Sequence, residues 1–86
     1  MLKPRHKRML DLLQFHLEPE HLELIDDSQK HVGHMDNLDE THFRLIIKSK
    51  ILENLSHLDA HRRIHDLLHQ EFSDGLHALN IKILRN

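Results

Sequence analysis

The sequence predicts a small α+β domain: a three-stranded mixed sheet covered on one face by two helices. Three observations carry this. Two stretches place apolar residues at helical spacing, three shorter stretches alternate, and the last alternating stretch follows only after a helix. Strands joined by a loop alone pair antiparallel, whereas strand, crossover helix and strand in succession call for parallel pairing. Both orders occur here, so the sheet is mixed. With 86 residues there is room for one core, and residues 1–86 form a single domain.

The first helix opens at Pro4, which suits a first turn, and carries Met9, Leu10, Leu13 and Leu17 as its apolar stripe, widened by Leu12 and Phe15. Glu18-Pro19-Glu20 stops it, because proline cannot donate to the helical ladder. Leu22-Glu23-Leu24-Ile25 reads as the first strand, closed by the turn formers Asp26-Asp27-Ser28. Gln29 to Glu40 is polar and aperiodic, a loop about twice the usual length, and loops this long are functional or disordered. Thr41 to Lys48 is the second strand, with Phe43, Leu45 and Ile47 on one face and His42, Arg44 and Ile46 on the other. A connection with a short helical turn around Ile51-Leu52 leads to Ser56, the expected N-cap of the second long helix. Leu58, His61, Ile64, Leu67, Leu68 and Phe72 mark its buried stripe, and Gly75 supplies the exit. In the last strand His77, Leu79, Ile81 and Ile83 share one face by parity.

Composition narrows the chemistry. The chain has no cysteine, which excludes disulfides, thiol catalysis and an iron–sulfur cluster held by its own thiolates. Charged residues make up 30% with a net charge of −2, which argues against a general polyanion-binding surface. No apolar run approaches a membrane span and no signal-peptide core is present, so the expected compartment is the cytoplasm. The anomaly is eleven histidines, spread from His6 to His77. Many begin to protonate near pH ~6, where the net charge turns positive. His77, at the mouth of the last strand, has two readings: a half-buried strand histidine hydrogen-bonded to a neighbour, or a ligand held still by its backbone.

Four motifs in register carry a resemblance: Leu22-Glu23-Leu24-Ile25-Asp26-Asp27-Ser28, then Glu40-Thr41-His42-Phe43 … Ser49, then His61-Arg62, then Leu76-His77-Ala78-Leu79. Together they resemble the BolA family over nearly the whole chain. The resemblance implies a fold like a type II KH domain and a partner, a monothiol glutaredoxin. In such complexes a 2Fe–2S cluster is bridged between the proteins. The glutaredoxin and glutathione supply thiolates, and the BolA-like protein supplies the histidine of the His-Ala-Leu motif, here His77, with a second ligand from the loop. His31 stands at the family's offset and is preferred; His34 is the other candidate. A zinc site from His31, His34 and His77 is a further possibility, without an evident fourth ligand. The resemblance also implies a role in iron–sulfur trafficking or iron and redox regulation. No enzymatic activity is expected, and with no thiolate to hold a cluster alone the isolated protein is expected to be a colourless monomer. Ala60 departs from the arginine common before His61-Arg62, Asn54 from a glycine and Leu52 from an aromatic, and many relatives continue past the last strand into another helix.

Two other readings compete. Some relatives are implicated in transcriptional control, and Arg62, Arg63 and Lys82, with Lys48 and Lys50, supply charge for a DNA-binding face. Against it stand the lack of a Gly-X-X-Gly clamp and of tryptophan or tyrosine for base stacking. An acid–base enzyme would draw on His42, His61, His65 and His69. The last three are neighbours on one helix face, however, and no nucleophile or phosphate-binding motif accompanies them.

Overall fold

The computed structural model describes residues 2–28 and 40–86. Helix α1 (Pro4–Leu17) is followed by β1 (His21–Asp26) and β2 (His42–Lys48). Two short helices, α2 (Lys50–Glu53) and α4 (His69–Ser73), flank α3 (His57–Leu67), and β3 (Ala78–Ile83) closes the fold. The sheet order is β1-β2-β3, with β1 antiparallel and β3 parallel to the central β2. The α+β class and the mixed sheet are as the sequence predicts.

The core lies between one sheet face and the helices. Leu24, Phe43, Leu45 and Ile47 share strand parity and are buried, and Met9, Leu13, Leu17, Leu52, Ile64 and Leu68 meet them from the helical side. The register sets Phe43, Leu45 and Ile47 beside Leu79, Ile81 and Ile83 of β3, so the apolar face is continuous across the parallel pair. Ser49 is buried where β2 leaves the sheet, and its hydroxyl donates to the Leu17 carbonyl at 2.6 Å. That bond satisfies one carbonyl that the end of α1 leaves without a helical partner. Glu18, at φ 43°, completes the exit with its amide bonded to the Gln14 carbonyl.

Three expectations are corrected here. Phe15 is 80% exposed and Leu58 is 58% exposed, so neither belongs to its helix's buried stripe. Each lies two residues from a core position, Leu13 or Leu17 for the first and Ala60 for the second, which is about 200° around the helix. Second, the long helix is broken at Leu68, whose φ of −102° and ψ of 12° leave the helical region. The break keeps Leu68 in the core and turns Glu71 inward to a buried position. Third, β3 begins at Ala78, not at His77. The amides of His77 and Ala78 both donate to the Thr41 carbonyl, at 2.8 and 3.1 Å. Two successive donors on one acceptor cannot follow strand alternation, so parity does not apply to His77.

Candidate functional site

One end of the sheet gathers the residues of interest: β1 finishes there at Asp26, while β2 and β3 begin at His42 and Ala78. Ser28 ties this end together. It is buried, and its hydroxyl donates to Asp26 Oδ1 while accepting the amides of Thr41 at 2.9 Å and His42 at 3.2 Å. Asp26 also accepts the Ser28 amide at 2.9 Å and the Glu40 amide at 3.1 Å. Burial alone would raise the Asp26 carboxyl, but the bonds from Ser28 and Glu40 outweigh it and hold the group below the ordinary aspartate range. The chain on either side of segment 29–39 is thus fastened at one point.

Glu40 sits in the left-handed region at φ 60°, which a side chain adopts at some cost. Three partners hold it there. Its amide bonds Asp26, its carboxylate accepts the His6 amide at 2.8 Å, and its carbonyl accepts Arg5 Nη1. The bond to His6 satisfies an orphan donor at the start of α1 and sets a negative charge against the positive end of that helix. Arg5 reaches further. Its Nη2 donates to the Asp74 carbonyl at 2.7 Å and its Nε to Glu71 Oε1 at 3.1 Å. One guanidinium therefore spans the return of the long connection and the turn that leads to His77. At that turn Gly75 has φ 121°, and a Cβ there would stand 3.1 Å from Arg5 Nη2.

His77 is exposed, not half-buried. Its backbone is pinned to Thr41, and its ring lies edge-on to that of His42 with centroids 5.8 Å apart and planes at 81°. The His42 ring is itself held, with Nδ1 3.0 Å from Thr41 Oγ1. His31 and His34 lie outside the described residues, as does the loop they belong to, and with them the proposed three-histidine zinc site. Among the described residues, no group of three or more histidines and carboxylates is placed to hold a metal.

The basic residues are not brought to one surface. Arg62 and Arg63 are exposed on α3, on the helical side, whereas Lys82 lies on β3 with the parity of the opposite, open sheet face. Lys48 and Lys50 both face Glu20, at 3.5 and 3.9 Å. Of the histidines weighed for acid–base work, His65 stacks on Phe72 at 5.0 Å and His61 bonds its own helix. Sequence reasoning missed Arg5 altogether, because nothing local marks it. Glu40 had a signal, since it precedes Thr41-His42-Phe43 in the motif.

Fold and site define an α+β domain whose sheet end carries a fixed, exposed histidine between two tied connections. The profile of the BolA-like protein family matches residues 5–85, and the chain belongs to that family. It is 40% identical over 84 residues to Protein BOLA1, chloroplastic, of Arabidopsis thaliana, covering 93% of this chain and 52% of that protein. The chain thus spans about half the length of that relative. Among solved structures, BolA1 from Arabidopsis thaliana superposes with a TM-score of 0.87 at 39% identity, covering 96% of this chain and 93% of the other. The BolA domain of SufE1 from the same plant gives 0.86 at 41% identity, with the same coverage. Among the described residues, no helix is long and apolar enough to cross a membrane.

Proposed function

We propose that this chain is the non-enzymatic, histidine-donating half of a complex with a monothiol glutaredoxin, in which a 2Fe–2S cluster is bridged between the two proteins. The observation that carries the reading is His77: exposed, fastened through its backbone to Thr41, and adjacent to the Ser28 knot at which segment 29–39 begins and ends. A ligand on a pinned backbone loses little freedom on binding. The chain holds no cysteine, so its own contribution is imidazole, and the thiolates come from glutaredoxin and glutathione. His77 is the first ligand, and His31, three residues beyond Ser28, is preferred over His34 as the second. Histidine ligation raises a cluster's potential relative to all-thiolate ligation, and bound in this way it would serve iron–sulfur trafficking or iron and redox regulation. The chain's residues fit the role of holding one side of such a group. His77 offers its ring nitrogens to solvent, Thr41 fixes its backbone, and Arg5 ties the preceding turn to Glu40.

The test is co-expression with a monothiol glutaredoxin, followed by visible absorption and circular dichroism of the purified complex. A shared-cluster spectrum is expected, and His77→Ala should abolish or alter it without unfolding the protein. An unchanged spectrum from a folded His77→Ala variant would refute the assignment. A gel shift across salt concentrations serves the competing DNA reading, which requires retarded DNA with a steep salt dependence.

A further inference from the structure

We infer that His57 and His61, at the start of α3, form a surface chelate for a divalent transition-metal ion, with copper(II) the preferred occupant. The two histidines are one helical turn apart, the spacing that brings side chains together on a helix surface. Their rings are adjacent, with centroids 4.6 Å apart and planes inclined at 46°. That separation is informative. An ion about 2.0 Å from a ring nitrogen is about 3.2 Å from the ring centre, so two such rings stand about 4.5 Å apart at a right angle and about 5.2 Å apart at the tetrahedral angle. The observed spacing lies close to these values, as two rings sharing one ion require.

The orientation of the His61 ring also suits a ligand. Its Nδ1 lies 3.0 Å from the His57 carbonyl oxygen. A carbonyl only accepts, so Nδ1 is the donor in this contact, which leaves Nε2 as the nitrogen available to an ion. This is how metal-binding histidines are commonly oriented, the second nitrogen donating to a backbone carbonyl. His57 is exposed and His61 half-buried, so both are reachable from solvent. The positive end of the helix opposes a cation within the first turn, and Asp59 in that turn is paired with Arg62 at 4.0 Å, so the two rings themselves supply the affinity.

Among the described residues, two other neighbouring pairs lack one or more of these features. His65 is stacked on Phe72, with planes at 19°, which removes it from a shared ion with His61. The rings of His42 and His77 are 5.8 Å apart, wider than either geometry. With two protein ligands and water in the remaining positions, selectivity follows intrinsic affinity, and copper(II) stands at the top of the divalent series. The site is separate from His77 and does not rest on the glutaredoxin reading.

The test uses the intact chain without any partner. Copper(II) chloride is added below one equivalent to isotope-labelled protein, and amide line broadening by the paramagnetic ion locates the first site. Broadening centred on residues 57–61 is expected, with nickel(II) and zinc(II) competing only weakly. His57→Ala should weaken copper binding by about 100-fold, because a two-point attachment becomes a single one. His57→Gln should do the same and guards against any loss of folding. His77→Ala and His42→Ala should leave the first binding step unchanged. Initial broadening centred elsewhere, or wild-type copper affinity in a folded His57→Ala variant, would overturn the inference.

Discussion

Glu71 gives the sharpest test of how the two ends of the site are held together. Its carboxylate is 5% exposed and accepts Arg5 Nε at 3.1 Å, Arg8 Nη2 at 2.8 Å and Arg8 Nε at 2.7 Å. Glu71→Gln keeps the shape but removes the charge and turns an amide group toward a guanidinium. The Arg8 side chain is 52% exposed, so solvent screens most of what it would lose. Arg5 is 13% exposed and cannot recover its partner from water, which makes its bond worth about 1.5–3 kcal/mol. The expected destabilisation is therefore about 1.5–3 kcal/mol, carried by Arg5. In a domain of this size that lowers the midpoint by about 6–24 °C.

The same residue gives a pH signature. Hydrogen bonds from Arg8, reinforced by Arg5 and opposed by burial, hold the Glu71 carboxyl below the usual glutamate range. A carboxylate depressed in the folded state contributes fully above its unfolded pKa, and that contribution is lost as pH falls through the folded value. Thermal unfolding by circular dichroism, from about pH 7 down to about pH 3, should show the stability gap between wild type and Glu71→Gln narrowing with acid. A gap below about 1 kcal/mol at neutral pH, or one that does not narrow, would show that the Arg5–Glu71–Arg8 cluster is not what joins α1 to α4.

Further outcomes follow from the same geometry. Gly75→Ala must place a Cβ against Arg5 Nη2 at φ 121°, and should cost more than 1 kcal/mol by chemical denaturation, where a neutral result would mean that the turn relaxes freely. Ser28→Ala removes the acceptor of two amides and a donor to Asp26; a loss of about 1–3 kcal/mol is expected, with faster amide exchange at Thr41 and His42 as its local readout. Ser56→Ala deletes the cap on the Asp59 amide and should lower stability by about 1 kcal/mol in urea unfolding. Phe15→Ser, at an exposed position, should change the stability measured by urea unfolding by no more than about 0.5 kcal/mol; a core-sized loss would restore Phe15 to the buried stripe.

The sheet was legible because strand parity is a strong signal. Phe43, Leu45 and Ile47 alternate with His42, Arg44 and Ile46, and the structure buries the first set while leaving the second half-exposed. Helix ends were legible too, where a residue type has a local job. Ser56 caps the Asp59 amide, and Gly75 takes a positive φ at the exit. The helical stripes were read too generously, since apolar identity does not fix a position around the axis. Ala60 is fully buried while Leu58, larger and more apolar, faces solvent. The break at Leu68 was invisible for a different reason. It answers to the burial of Glu71 against Arg5, a contact 66 residues away in the sequence.

The candidate site divides along the same line. His77 stood out by its motif, but its placement could not be read, because parity assigned it to the core face. What moves it to solvent is the Thr41 carbonyl, which takes both its amide and that of Ala78 and delays the start of β3 by one residue. The register of β3 is as parity predicts, and His77 is exposed because it precedes the strand. Thr41 is in turn fixed by Ser28, and Ser28 by Asp26, so the position of His77 depends on the residues that close the connection between β1 and β2. On the opposite side Arg5 binds Glu40 and Asp74 with one guanidinium. The exposed histidine contributes little to the core, while the polar groups that hold it are buried or half-buried. Stability and presentation of His77 therefore separate: replacing its ring should spare the fold, and loosening Ser28 or Glu71 should disturb both.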